Sequence, residues 1–322
     1  MKKNLFKYSV ASFAITLSFV FISCGDDDAI IPIPNEPEKV QIKEAVTGDA
    51  TNVSYFWATV SGMVNLTEGT KYNVWIEYSD DNNFKNRIRC SVEDAGSSFS
   101  VELNNLDMET TYYYRTYVKT DSRNYYGETE SFTTKKLELQ KNGAVDLGLS
   151  VKWAANNIGA DKPEECGSYI EWGETSEKET LSYSFCYDEV NNLYSSADLG
   201  KEISGTKYDA ARVQWGGKWR LPTAFELKEL NEECRNIWYI YNGMNGRLFI
   251  GRNDNCIFLP AAGEISSNGE LMYVGKDGRY QSGTLSEDHD RWFGTMFICK
   301  YFVGLGDDGF RLCRYTIRPV SD

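Results

Sequence analysis

The only histidine, His289, sits in Glu287-Asp288-His289-Asp290 and is the first place to look for catalysis. A nucleophilic triad needs a Ser or Cys poised beside an imidazole and a third group to orient it. The acids around His289 instead mark an exposed loop. Metal centres draw on clusters of His and Cys. Eight Cys and one His, with no Cys-x-x-Cys, do not make one. An oxygen-only Ca²⁺ site from Asp307-Asp308 or from Asp288 and Asp290 is the one metal chemistry left open, so the expectation is no cofactor, with Ca²⁺ not ruled out. No glycine-rich phosphate loop of the Gly-x-x-x-x-Gly-Lys-Ser/Thr kind occurs. Glu171 and Glu174 flank Trp172 as carboxylates of the type glycoside hydrolysis uses. Acids are plentiful, however, and their spacing in space is unreadable from sequence. The chemistry-bearing residues therefore point to binding rather than turnover. Aromatics make up 14% of the chain, with 21 Tyr and 8 Trp, and such rings give large contact area at low entropic cost. They also pack well in β-rich domains.

Charge narrows the partners. The 322 residues carry 34 Lys plus Arg against 47 Asp plus Glu, a net −13. That balance argues against nucleic acid or anionic lipid as partners, because an acidic chain does not neutralise phosphates.

The elements that hold these residues begin with an export segment, residues 1–23. Lys2, Lys3 and Lys7 form a basic start, Val10 to Ile22 is largely apolar, and Ser23 is a small residue at a cleavage position. This is a signal-peptide pattern, too short to span a bilayer stably. The end Phe21-Ile22-Ser23-Cys24 resembles the lipobox of bacterial lipoproteins, with Phe21 where Leu is usual. The resemblance implies that Cys24 is lipidated and becomes the new N-terminus. Asp26, Asp27 and Asp28 follow at once and resemble the surface-export signal of Bacteroidetes lipoproteins. That implies an outer-membrane address facing the exterior, with the lipid as the contact to the membrane. Residues 24–39 carry three prolines and read as an extended tether.

Residues 40–135 read as short alternating strands: Val53–Gly62, Tyr72–Tyr78, Ser98–Leu103, Thr111–Lys119 and Gly127–Thr134, with a turn at Asp80–Asn83. This spacing predicts an antiparallel β-sandwich. Leu106–Tyr112 predicts a tyrosine corner, in which Tyr112 bonds back over the preceding bend. Leu106–Thr134, ending YYGETESFTT, resembles the end of a fibronectin type III domain, which implies a spacer or interaction module.

Beyond a linker at 136–143, the segment 144–322 holds six of the eight Trp and many glycines, so short elements and many loops are expected. Thr206 with Asp209 predicts a helix start, Tyr208, Ala211 and Trp215 share a face, and Gly216-Gly217 ends the helix. Thr223–Glu226 predicts a capping box, with Leu227, Leu230 and Cys234 along the buried face of a second helix. Strands are expected at Arg247–Gly251, Asn255–Pro260 and Tyr315–Val320. Val145–Ala155 (VDLGLSVKWAA), Gly167–Thr175 (GSYIEWGET), Ile203–Thr223 (ISGTKYDAARVQWGGKWRLPT), Ile257–Gly263 (IFLPAAG) and Ile317–Val320 (IRPV) resemble, in this order, the Fibrobacter succinogenes major paralogous domain. The two-helix core also resembles the wider group of formylglycine-generating enzymes and C-type-lectin-like folds. The resemblance implies a multidomain chain: an all-β immunoglobulin-like sandwich, then an α+β C-type-lectin-like domain in which Val151–Ala154 and Ile317–Val320 are neighbours.

Within this resemblance, residues 264–310 are the most individual, and in lectin-like folds this region tends to form the binding face. Tyr280, Trp292, Phe293 and Tyr301 are the candidate ligand-binding aromatics there. The Glu-Pro-Asn, Gln-Pro-Asp and Trp-Asn-Asp triplets of Ca²⁺-dependent lectins are absent from this segment. Formylglycine-generating enzymes use a close pair of reactive cysteines; the nearest pair here, Cys299 and Cys313, lacks the surrounding motif. Export permits disulfides. With Cys24 lipidated and Cys90 alone in the first domain, at most one or two bridges are expected among the other six cysteines, Cys299–Cys313 first. The leading expectation is a non-catalytic surface lipoprotein that binds an extracellular glycan or protein. An accessory component of a surface complex or fimbria is the alternative, and an enzyme of formylglycine-generating type comes third.

Overall fold

Alternation of apolar and polar residues puts one face of each early segment into a core and the other into solvent. The computed structural model describes residues 44–93, 97–178, 187–188, 193–194, 199–288 and 291–322. The 1–23 leader, Cys24, Asp26–Asp28, the proline tether, Cys186, His289 and Asp290 lie outside the described residues.

The first part is a two-sheet sandwich. Its strands are β1 (Ala45–Thr51), β2 (Trp57–Val64), β3 (Tyr72–Ser79), β4 (Ile88–Ser91), β5 (Ser98–Asn104), β6 (Thr111–Thr120), β7 (Asn124–Tyr126) and β8 (Glu130–Thr133). One sheet runs β1-β2-β5; the other runs β4-β3-β6-β7, with β8 also paired to β6. Every pairing is antiparallel. The inward rows, Ala58, Val60 and Leu103 from one sheet and Ile76, Tyr78 and Tyr114 from the other, share one core. The expected tyrosine corner is present: Tyr112 Oη accepts the Asp107 N–H at 2.9 Å. On the outer face, Glu77 is fully buried under Arg87, Arg89 and Arg115. The Trp75–Tyr117–Tyr126 stack lies beside it, with centroids 5.4 and 5.0 Å apart.

The second part is also mainly β. Its short strands are β9 (Ala144–Val145), β10 (Lys152–Ala154), β11 (Ile170–Glu171), β12 (Tyr187–Asp188) and β13 (Leu193–Tyr194). Helix α1 (Ala210–Trp215), strand β14 (Trp219–Arg220) and helix α2 (Ala224–Glu233) follow. Then come β15 (Arg235–Tyr241), β16 (Met244–Ile250), β17 (Cys256–Pro260), β18 (Glu264–Ile265), β19 (Leu271–Met272), β20 (Asp277–Leu285), β21 (Trp292–Cys299), β22 (Val303–Phe310), β23 (Arg314–Tyr315) and β24 (Val320–Ser321). They assemble into small antiparallel sheets, β14-β24-β10-β9, β11-β23-β18-β19, β15-β16-β17 and β20-β21-β22, while β12 pairs with β13. The expected closure of early on late chain is present, with Trp153 opposite Val320. The expected strand Tyr315–Val320 is instead two short ones, β23 and β24. With helices of only six and ten residues, this part is richer in strand than the α+β expectation.

Helix α2 starts with the expected capping box: Thr223 Oγ1 accepts the Glu226 N–H at 3.2 Å, and Glu226 accepts the Thr223 N–H at 2.8 Å. Its Leu227, Leu230 and Cys234 pack on Trp153, Phe249, Tyr280 and Met296. Helix α1 starts three residues later than Thr206 would place it. Asp209 is the N-cap, while Thr206 Oγ1 turns back to donate to Ile203 O at 2.7 Å. Ala210 and Ala211 then join Trp172, Phe293 and Tyr315 in a second core.

Glu44–Asp322 form one compact unit. Tyr55, Phe56, Trp57, Met108, Leu137 and Leu139 of the sandwich side pack on Leu248, Ile250 and Phe258. Asp254 ties the same junction: it accepts Ser54 Oγ at 2.8 Å and Lys135 Nζ at 2.5 Å, and its carbonyl takes Tyr55 Oη at 2.8 Å. Arg235 crosses from the other side to Glu102 at 2.5 Å and lies 4.6 Å over the Trp57 ring. The junction is therefore a packed elbow rather than a free hinge.

Candidate functional site

The aromatics expected to form a binding face are not brought together. Tyr280 is fully buried in the core under α2, its hydroxyl donating to Pro260 O at 2.7 Å. Phe293 is fully buried in the other core, stacked 6.0 Å from Trp172 and edge-on 5.6 Å from Tyr315. The reason is that β20 and β21 are covered on both faces, so alternation there selects between two cores rather than between core and solvent. Trp292 is half-buried against Phe310 at 5.1 Å. Only Tyr301, 86% exposed at the β21–β22 turn, stands free in solvent, with the exposed Phe302 beside it. Trp292 and Tyr301 also lie at opposite ends of β21, roughly 25 Å apart at ~3.3 Å per residue.

The expected Cys299–Cys313 bridge is not formed, and both thiols are free. Cys299 ends β21 at the hairpin turn, whereas Cys313 lies past the far end of β22, so the antiparallel pairing itself holds them apart. Cys90, Cys166, Cys234 and Cys256 are likewise free. Burial pushes the Cys256 thiol up to about 11, which makes it a packing group rather than a nucleophile.

Asp308, one of the residues considered for Ca²⁺, is committed elsewhere. It takes Arg279 Nη1 at 2.6 Å and the Thr295 hydroxyl. Among the described residues no group of three His, Cys, Asp or Glu is placed to hold a metal. Glu171 is buried, and loss of solvent raises its carboxyl above the ordinary range despite Lys178 and Arg314 nearby. Its Oε1 lies 3.4 Å from Arg314 Nε. Glu174, its partner in the sequence reading, binds Lys178 at 2.6 Å.

The site that sequence reasoning passed over is a cleft at the exit of α1. Its walls are Asn142, Gly143, Ala155, Asn156, Ala160, Trp215 and Trp219, and it encloses about 220 Å³. Trp215 is the last residue of α1 and remains 37% exposed. Gly216 and Gly217 have φ of 66° and 59°, a backbone region glycine enters freely, and they reverse the chain at once. Trp219 then enters β14 opposite Ser321. The reversal sets the two indoles 5.1 Å apart at 85°, forming a right-angled corner.

Several bonds hold that corner. The Trp219 N–H donates to Gly216 O at 3.1 Å, Arg212 Nη1 donates to Gly217 O, and Gln214 Nε2 donates to Thr175 O at 2.7 Å. The opposite wall comes from the β9–β10 ladder. There the Ala155 N–H donates to Gly143 O at 2.9 Å, and Asn156 Nδ2 donates to Lys141 O at 2.8 Å. Asn156 is only 6% exposed, and its Oδ1 has no hydrogen-bond partner. A buried acceptor left unmet is unusual, because such groups lose water without compensation.

The sequence did contain a signal for this site: two Trp four residues apart, around Gly-Gly at a helix end. It reads equally well as scaffold, because whether a ring at a helix terminus is covered depends on what packs beside it.

No protein-family model matches the sequence, and no curated protein matches it. Solved structures do. The chain is similar to the sensor domain of the anti-sigma factor RsgI4 from Pseudobacteroides cellulosolvens, at 22% identity over 31% of this chain and 100% of that one, TM-score 0.26. It is similar to the sixth fibronectin type III domain of human fibronectin type III domain containing protein 3, at 20% identity over 34% of this chain and 100% of that one, TM-score 0.26. A fibronectin type III domain of human collagen α-1(XX) matches at 18% identity over 34% of this chain and 96% of that one, TM-score 0.25. The sandwich itself is read from the sheets described above, and these likenesses add no function to it.

Proposed function

We propose that the chain is a surface lipoprotein that binds an extracellular ligand without turning it over. Cys24 carries the lipid, Asp26–Asp28 direct the protein to the outer face of the outer membrane, and the sandwich acts as a fibronectin type III-like spacer. The second part, a member of the Fibrobacter succinogenes major paralogous group with a lectin-like fold, presents the binding site. Of the two ligand classes, a glycan fits better than a protein. The observation that carries this reading is the Trp215–Trp219 corner, an exposed indole braced by a half-buried one in a cleft. Small-molecule sites are typically concave and apolar, with a few placed polar groups.

A second reading, an accessory part of a surface complex, is favoured by Tyr301 and Phe302 at the β21–β22 turn. Exposed aromatics of this kind are enriched in protein contacts.

The test screens the full chain, in a detergent without a sugar headgroup, against immobilised glycans and extracellular proteins. In parallel, Cys24→Ala is followed for membrane retention. Glycan binding with loss of membrane retention supports the proposal. A retained Cys24→Ala protein contradicts the anchor, and a silent screen contradicts the binding role.

A further inference from the structure

We propose that the Trp215–Trp219 cleft is a single-ring subsite for an uncharged pyranose, so that the ligand is a neutral rather than an acidic or basic glycan. The proposal rests on the surface-binding reading above and names the ligand class of the same site.

Three features of the cleft select this ligand. First, an indole face is electron-rich and its edge electron-poor, so the face receives C–H groups and the edge receives oxygen. A pyranose has a flat C–H face and a rim of hydroxyls. The Trp215–Trp219 pair, packed edge to face at 85°, braces the partly exposed Trp215 ring for the C–H face, with the polar lining groups beside it for the rim. Second, the lining is neutral. Asn142, Gly143, Ala155, Asn156, Ala160 and the two Trp include no carboxylate and no Lys or Arg. A bound cation would gain from the rings but finds no lining acid, and a carboxylate or sulfate finds no lining guanidinium or ammonium, the nearby Arg212 being engaged by Gly217 O. Third, among the described residues the lining holds one buried side-chain acceptor with no partner. Asn156 Nδ2 is held by Lys141 O at 2.8 Å, and reversing the amide would set oxygen against oxygen. Oδ1 is therefore the atom left without a partner, and a ligand hydroxyl reaching it would act as the donor. A sugar hydroxyl is such a donor.

The size agrees. About 220 Å³ lies below the span of roughly 300–1,000 Å³ typical of pockets that enclose drug-sized ligands. A cleft of this size takes one ring. Its walls are fixed by strand pairing and the Gly216–Gly217 reversal, so little ordering is required on binding.

The experiment is a calorimetric titration of the full chain, in a detergent without a sugar headgroup, with neutral tetrasaccharides of glucose, mannose and N-acetylglucosamine, and with tetragalacturonate as the acidic arm. At least one neutral tetrasaccharide is expected to bind more tightly than tetragalacturonate. Trp215→Ala should weaken that binding by ~tenfold or more, equivalent to ~1.4 kcal/mol. Asn156→Leu should weaken it as well, and Trp215→Phe should retain most of it. Trp215 is partly open, so Trp215→Ala is expected to keep the wild-type unfolding temperature, which separates lost contact from lost fold.

Neutral binding unchanged in Trp215→Ala, or a preference for tetragalacturonate, overturns the cleft assignment and leaves the surface-binding reading standing. Silence toward all four saccharides together with capture of an extracellular protein does the same. Silence toward every glycan and protein removes both.

Discussion

Asp209 uses its two carboxylate oxygens for two different tasks. Oδ1 caps α1 by accepting the Ala211 and Arg212 N–H groups at 2.8 and 3.1 Å. Oδ2 accepts the Gly205 and Leu221 N–H groups at 2.7 and 2.8 Å, pinning the loop before α1 to the chain after β14. Asn is as good a simple helix cap as Asp. Asp209→Asn therefore isolates the second task, because its NH₂ would face two N–H donors. The expected loss is about 2 kcal/mol or more of stability, since a buried group left unmet costs roughly 1–3 kcal/mol. Chemical denaturation would read it, and a loss under about 0.5 kcal/mol would contradict the geometry. The sequence placed the cap at Thr206 because a hydroxyl followed three residues later by an acid resembles a capping box. It had no means of showing that the acid would be fully buried and serve four donors. Thr223 and Glu226 were legible for the converse reason: both of their bonds are local.

Helix α2 and strand β14 are tied by one guanidinium. Arg220 Nη1 and Nη2 reach the Glu226 carboxylate at 2.9 and 2.6 Å, and Nη2 also reaches Asp322 at 2.8 Å. Burial alone would raise the Glu226 carboxyl, but Arg220 and the Thr223 N–H outweigh it and hold the group below its ordinary 4.5. A depressed folded value means that the ion contributes stability above about pH 4.5 and loses it as pH falls through the lower folded value. Wild-type stability is thus expected to drop on acidification in that window. In Arg220→Met the stranded Glu226 should titrate higher, so this part of the acid dependence should flatten or reverse. Unfolding midpoints between pH 3 and 7 check this on the ordinary ~4.5 carboxylate scale, and parallel acid limbs would contradict it.

Strands β2, β3, β5, β6 and β8 were legible from alternation, with shifted ends. The sheet of β20, β21 and β22 was not, because β20 and β21 are covered on both sides and show no such period. Tyr280 and Phe293 were expected on a binding face because of the lectin-like resemblance, and no alternation in β20 or β21 was there to correct it.

At the scale of the whole molecule, the sandwich and the second part behave as one body. Their junction carries rings from both sides, the Asp254 bonds and the Arg235 bridge. Burying one such ring is worth roughly 1.5–3 kcal/mol, and several are shared. A chain beginning at residue 140 would expose the faces of Leu248, Ile250 and Phe258. It is expected to unfold at a lower temperature than the full chain and to self-associate. The full chain is expected to show one thermal transition for both parts. Two separated transitions, or a truncated chain as stable as the full one, would contradict a packed junction. The order of segments along the chain was legible from composition, whereas the elbow was not, since its contacts join residues about 200 apart in sequence.

The elbow also bears on function, because it gives the Trp215–Trp219 cleft a fixed bearing on the sandwich. Saturation-transfer difference NMR on the neutral tetrasaccharide that binds best tests the central claim most directly. The expected result is strong transfer to the ring C–H protons of a single sugar unit, lost in Trp215→Ala while the protein stays folded. Even transfer along all four sugars, or a pattern unchanged by Trp215→Ala, would contradict recognition of one pyranose face by the tryptophan corner.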